Sequence, residues 1–303
     1  MFNSIADMVA VAETKGQRLA EVVIQAEAEQ SQADPADLRQ RMQRRLEVMR
    51  RSVEQGLAAP VISLSGISGG NAHRFWNWLG DHEPITGPIL SRTVARAMAV
   101  NEVNAGMGCI VATPTAGSAG ILPAVLLTLQ EARGFGDEQL VDALFTASGI
   151  GAVIVFRAHV SGAAGGCQAE TGSAAAMAAA AAVELLGGAP RQSAQAVAIT
   201  MKNMLGLVCD PVAGLVEVPC VKRNAAGAAQ CLVAVDLALA GVESVIPPDE
   251  VIDAMANIGR RMDARFKETA QGGLAATPTG RKLAELVWAE KRPVGQEQDK
   301  TAG

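Results

Sequence analysis

Three cysteines of the chain stand in strings that favour turns: Cys167 follows Gly165-Gly166, Cys209 precedes Asp210-Pro211, and Cys220 follows Val218-Pro219. Thiolates are soft ligands that select zinc or iron-sulfur clusters. Cys167 also precedes an alanine-rich run with helical character, whose N-terminal dipole would stabilise a thiolate, and Lys222 and Arg223 would offset charge near Cys220. The spacing contains no compact CxxC pair, so on pattern alone structural thiols are the favoured reading and metal ligands the alternative. Cys231 and Cys109 lie in apolar runs and read as small hydrophobes.

Other motifs compete. Gly66-Ile67-Ser68-Gly69-Gly70 matches the G-x-S-x-G elbow of serine hydrolases, with His82 and His159 downstream. Against it, the strand-helix alternation of that fold is missing. Gly149-Ile150-Gly151 lacks the third glycine of a dinucleotide fingerprint, and no phosphate-binding G-x-x-x-x-G-K-[ST] occurs. The three histidines, His73, His82 and His159, do not make an H-E-x-x-H pair.

The elements that must position these groups read as all-α. The composition is rich in Ala and Gly, with 3% aromatics and no tyrosine, which suits closely packed helices and gives little material for a sheet core. One helix opens at Asp34-Pro35, an N-cap followed by proline, carries Leu38, Met42, Leu46, Met49 and Val53 on one face, and is expected to close at Gly56. A second is expected over 173–186, stopping at Gly187-Gly188, and others over 192–205, 225–240 and 249–262. Between them lie four irregular strings, 63–73, 112–120, 159–170 and 209–224, rich in Gly, Pro, Ser and Thr. Loops of this kind inside an apolar chain suggest backbone shaped around a ligand. The organisation expected is an N-terminal helical segment over 1–60, a catalytic domain over 61–290, and a mobile tail over 291–303.

At 303 residues and 49% hydrophobic content the chain can bury a full core. A net charge of -5 and a pI near 5.4 argue against nucleic acid, which needs clustered excess cations. Asp7 and Glu13 interrupt what would be a signal peptide, so a cytoplasmic protein with reduced cysteines is expected. The uncharged stretch between Glu102 and Glu131 is long enough for a membrane span, but Pro114, Pro123 and several glycines break it. It reads as buried functional backbone, and no membrane association is expected.

Three strings carry a closer likeness: NEVNAGMGCIVATPTAGSAGILPAVL (101–126), SGAAGGCQAE (161–170) and GLVCDPVAGLVEVPCVKRNAA (206–226). They resemble the alpha chain of iron-sulfur L-serine dehydratases, with the match running from about residue 61 to 240. The resemblance implies an all-helical catalytic fold and a [4Fe-4S] cluster on Cys167, Cys209 and Cys220. It further implies L-serine as substrate, with pyruvate and ammonia as products. A cluster held by three thiolates keeps one iron free as a Lewis acid, which a poor leaving group needs.

The same resemblance places Thr113, Pro114, Thr115, Gly117, Ser118 and Gly120 along the substrate site. Lys222, Arg223 and Ser118 are the right types to bind a zwitterion, although a structural ion pair is an equal reading for Arg223. Single-chain members carry a Ser-Ser-His-Thr motif that this sequence lacks, which implies a beta-chain partner and an oligomer. The general base is expected from that partner, with His73 and His159 as local candidates. His159 stands where a small hydroxyl residue is expected. A non-catalytic iron-sulfur sensor and a hydrolase using Ser68 are the competing classes.

Overall fold

The computed structural model describes residues 2–289, so the tail expected over 291–303 lies outside the described residues. The all-helical expectation is borne out: the described residues form thirteen α-helices and no strand, with two isolated bridges. In chain order they are α1 (Ile5–Lys15), α2 (Leu19–Ser31), α3 (Pro35–Ala58), α4 (Asn71–Asp81), α5 (Gly87–Ala105), α6 (Ile121–Arg133), α7 (Asp137–Arg157), α8 (Gly162–Gly165), α9 (Cys167–Leu185), α10 (Pro190–Lys202), α11 (Cys220–Leu239), α12 (Pro248–Arg261) and α13 (Pro278–Ala289).

The centre of the molecule is α9, packed against α6, α7, α10 and α11. Its alanines 174–176 and 178–182 are all fully buried. A methyl group on every side lets the surrounding helices approach closely, and a helix apolar all round belongs in a core. Replacing one of these alanines by leucine would overpack the contact, at a cost of about 1–3 kcal/mol. α5 forms the second spine, packed on α3, α4, α6 and α11. The core cluster runs from Ile5 to Met255, so α1–α3 share it with the rest.

Helix boundaries follow capping chemistry. Asp34 accepts from the Ala36 amide with Pro35 at the first position of α3, and the stripe from Leu38 to Val53 is buried. Gly56 does not end that helix, which continues to Ala58. A Cβ there would sit 2.5 Å from the Ala99 carbonyl oxygen, so Gly56 lets α3 and α5 touch backbone to backbone. α9 begins at Cys167 rather than near 173, so the Cys167 thiol rides on the central helix.

Three helix starts are capped from far away. Asp249 accepts from Ile5 and Ala6 at the start of α1, Glu184 from Leu19 and Ala20 at α2, and fully buried Glu102 from Asn71 and Ala72 at α4. Each carboxylate satisfies orphan amides and faces the positive end of a helix dipole. Among the described residues one helix, α7, is long and apolar enough to cross a membrane, and 72% of its apolar window is buried inside the protein.

Asp137, the first residue of α7, joins three helices: it receives Arg50 of α3 at 2.7 Å and Gln130 of α6 at 2.8 Å. The Arg50 guanidinium, aided by Gln130, holds its carboxyl down at about 2. A depressed carboxylate stabilises the fold above its unfolded value near 4, and that contribution is lost as pH falls through about 2. Melting temperature is therefore expected to drop between pH 4 and 2, and Asp137→Asn should flatten that segment of the pH-melting curve.

Candidate metal and substrate site

Cys167 is the first residue of α9, behind a Gly166 at φ 77°. A Cβ on Gly166 would lie 2.7 Å from the Met262 sulfur, so the backbone there needs both the conformation and the space of glycine. Cys220 is likewise the first residue of α11. Cys209 sits in the connection between α10 and α11, where its amide donates to the Phe266 carbonyl and its carbonyl accepts from the Glu268 amide, each at 2.8 Å. All three thiols are buried and none forms a disulfide. Cys231 is buried within α11 and Cys109 is exposed.

One residue absent from the sequence expectation joins them. Glu170, one turn into α9, presents a carboxylate oxygen within 4.8 Å of the Cys167 and Cys209 sulfurs. Cys220 stands outside that group. A Cβ on Gly162 would fall 2.6 Å from the Cys209 sulfur and 3.1 Å from Glu170 Oε2, so only glycine lets this backbone pack against the thiol and the carboxylate.

The electrostatics divide the thiols. A hydrogen bond from Cys209, then the Arg223 guanidinium, hold the Cys167 thiol below its ordinary value against the effect of burial. Cys209 is pushed up by sharing that proton with Cys167 and by burial. Cys220 is pushed up chiefly by burial and then by the charge on Cys167. Burial raises the Glu170 carboxyl, with the Thr115 hydrogen bond opposing it. Cys167 is thus the more readily ionised thiol of the pair, and a metal would displace the protons of both.

Arg223 donates to Val208 O at 2.7 Å, lies 3.5 Å from the Cys167 sulfur, and pairs with buried Asp210 at 2.8 Å. Asp210 in turn accepts from the Leu274 amide at 2.7 Å. Arg223 therefore stands in a structural ion pair beside the thiols. Lys222 is exposed in the first turn of α11 and forms no ion pair among the described residues.

The 113–120 loop meets the thiols through Glu170. Thr115 Oγ1 donates to Glu170 Oε1 at 2.5 Å and lies 3.1 Å from Ser118 Oγ, while Ser118 donates to the Thr113 carbonyl. A Cβ on Gly117 would sit 2.7 Å from Glu170 Oε1. Buried Asn224 of α11 fixes the loop by donating to Gly117 O at 2.7 Å and Cys220 O at 3.0 Å and accepting from Gly120 N at 3.1 Å. Asn101 of α5 adds a second donor to Gly117 O. Thr113 is buried, and its hydroxyl has no partner among the described residues.

Gln168 is a second residue the sequence expectation omitted. Its amide nitrogen reaches Gly165 O and Met255 O, and its carbonyl accepts from Gly206 N. It thereby joins the loops of Cys167 and Cys209 to α12. The available signal was the polar pair Gln168 and Glu170 inside an otherwise apolar helix, directly after a cysteine.

The histidines stand apart. His73 bonds Leu57 O at 2.7 Å through Nδ1 and Asn77 at 3.0 Å through Nε2, so both ring nitrogens are engaged. His159 is exposed at the end of α7, two residues before the Ser161 cap of α8. Ser68 donates to the Glu217 carboxylate at 3.0 Å, as Ser65 does at 2.8 Å. Among the described residues no histidine bonds Ser68, so the elbow motif is a docking loop without a general base.

The chain matches the family model described as serine dehydratase alpha chain over residues 14–275. It is 50% identical over 288 residues to the probable L-serine dehydratase, alpha chain, of Bacillus subtilis (strain 168), covering 95% of this chain and 96% of that one. To the L-serine dehydratase, alpha chain, of Peptoniphilus asaccharolyticus it is 42% identical over 283 residues, 93% and 97% of the two chains. The L-serine dehydratase of Streptomyces coelicolor is 38% identical over 255 residues, which is 82% of this chain and 55% of that longer one.

Asn224 provides a direct test of how the site is held. Asn224→Ala strips partners from Gly120 N and Cys220 O in a buried setting, where each orphaned group costs about 1–3 kcal/mol. Urea unfolding is expected to show a loss on the order of 3 kcal/mol, together with faster alkylation of Cys220 in the native protein.

Proposed function

The chain belongs to the serine dehydratase alpha chain family, and from that premise we propose that Cys167, Cys209 and Cys220 hold a [4Fe-4S] cluster at which L-serine is dehydrated. The supporting observation is the donor set itself. Two thiols lie side by side with Cys167 the more readily ionised, a third heads the next helix, and a paired arginine stands beside them to compensate charge. Such soft, buried, disulfide-free sulfurs fit an iron-sulfur group. When bound, the cluster supplies Lewis acidity for the departing hydroxyl.

The remaining steps fall to protein groups. Thr115 and Ser118, oriented by Glu170, offer hydroxyls to the substrate, and Lys222 offers a cation to its carboxylate. Arg223 acts from behind, holding Cys167 and the 208–210 backbone, because its donors already serve Val208 and Asp210. The alpha proton goes to a base that a beta chain supplies, since His73 has both ring nitrogens engaged. Loss of water gives aminoacrylate, whose imine tautomer takes up water to release pyruvate and ammonia. The alpha-chain naming of the relatives supports a two-chain enzyme, and the reduced thiols support a cytoplasmic one.

The test is anaerobic pyruvate formation from L-serine after iron and sulfide reconstitution, with the chain alone and with its co-expressed beta chain. Iron and acid-labile sulfide should load together, and air should remove both colour and turnover. Cys167→Ser, Cys209→Ser and Cys220→Ser should each lose iron and activity, whereas Thr115→Val should raise KM with iron content unchanged. Zinc without sulfide in the purified protein would sink the cluster assignment.

A further inference from the structure

Away from the thiols, α2, α3, α6 and α7 line a cavity of about 320 Å³ that meets the 112–120 loop at Ala112 and Thr113. Its lining is mixed, and the apolar part comes from Met42 and Met49 of α3, Leu122 of α6, Phe145 of α7 and Met177 of α9. Met177 follows Cys167 by ten residues of one helix, about 15 Å at the α-helical rise. The cavity opens to solvent at Ser148, the one exposed residue in a run of α7 that is buried on both sides.

A third of its lining residues are polar or charged, and of these Arg41, Arg45 and Ser148 are exposed while Thr113 is buried. Glu27, Arg41 and Arg45 line it, and none of the three makes an ion pair with a described residue. Neighbouring arginines of α3 behave differently: Arg39 pairs with Asp142 and Arg50 with Asp137. Thr113 also lines the cavity, 7% exposed, with a hydroxyl that lacks any hydrogen-bond partner among the described residues. A buried hydroxyl of this kind costs about 1–3 kcal/mol unless something else satisfies it.

We propose that this cavity binds an α-amino acid with an apolar side chain, its carboxylate on Arg41 and Arg45, its ammonium on Glu27, and its side chain among the methionines. The size and lining match a small-molecule site, and methionine walls adapt to branched or aromatic shapes. The two cations and one anion on a single pocket match a zwitterion better than a simple anion or an apolar solute. L-serine is a poor occupant, because its short polar side chain would leave the apolar wall uncovered. Occupancy bears on the substrate loop, since Thr113 forms the cavity wall with its side chain and receives Ser118 on its carbonyl. The site therefore senses an amino acid other than the substrate and transmits its presence to Thr115 and Ser118.

The experiment is isothermal titration calorimetry on the full chain with L-leucine, L-phenylalanine, L-serine and 4-methylpentanoate, the last lacking only the amine of leucine. L-Leucine or L-phenylalanine should bind at one site per chain. Arg41→Ala with Arg45→Ala, both on the exposed rim, should weaken that binding at least tenfold, and Glu27→Gln should weaken L-leucine but leave 4-methylpentanoate unchanged. Ser148→Trp, filling the mouth, should abolish binding without lowering the melting temperature. The proposal is overturned by absence of saturable binding for both apolar amino acids, or by equal affinity in the double arginine variant. It is also overturned if hydrogen exchange shows the α3 face of the cavity covered by the beta chain in the complex while no amino acid binds. Because the readout is binding, failure of serine turnover would not be confused with failure of this site.

Discussion

Close packing around an alanine helix is the constraint from which the rest of the molecule follows. With only methyl groups at 174–176 and 178–182 of α9, four helices can approach it on all sides, and that stretch has no polar face through which it could be solvated. Its N-terminus is then forced to lie inside the protein, where four orphan amides and a positive dipole end need company. Cys167 and Glu170 occupy that end. There Cys209 and then Arg223 hold the Cys167 thiol below its ordinary value against burial, and a metal is a fitting partner for it.

Burying so much irregular backbone in an apolar interior requires that each polar group be satisfied. Asn224 and Gln168 meet that demand with side-chain amides, which both donate and accept and so can join loops that have no regular ladder between them, and Asn101 adds a donor to Gly117 O. The Asp210–Arg223 pair does the same with charge. Breaking one side of a buried pair costs more than the pair contributes, because the remaining charge is stranded. With net stability of a domain only about 5–15 kcal/mol, a handful of these amides holds a large fraction of the margin. Their positions are therefore constrained by folding as much as by chemistry.

What the sequence revealed follows from the range of each interaction. The stripe of α3 and its Asp34 cap are local, so spacing alone exposes them. The starts of α1, α2 and α4 are set by Asp249, Glu184 and Glu102, which lie far along the chain, and no window of sequence contains both partners. Gly56 reads as a stop because glycine commonly ends helices, yet here it serves a backbone contact with Ala99 that only packing reveals. Of the four irregular strings, three converge on the thiols and the fourth docks through Ser65 and Ser68 onto Glu217. Gln168 and Glu170 fell in the irregular string 159–170, whereas α9 already begins at Cys167 and carries both into the junction of the loops.

The Thr115–Glu170 contact links the two halves of the chemistry. Glu170 is one turn from Cys167 on a helix that cannot shift without disturbing four neighbours, so the carboxylate is a fixed reference point. Thr115 and, through it, Ser118 are positioned against that reference by a 2.5 Å hydrogen bond. Glycine at 117 and at 162 brings both loops against the same carboxylate, where any side chain would separate them. The hydroxyl loop and the thiol set thus share one acid, and the distance between them is set by the central helix rather than by either loop.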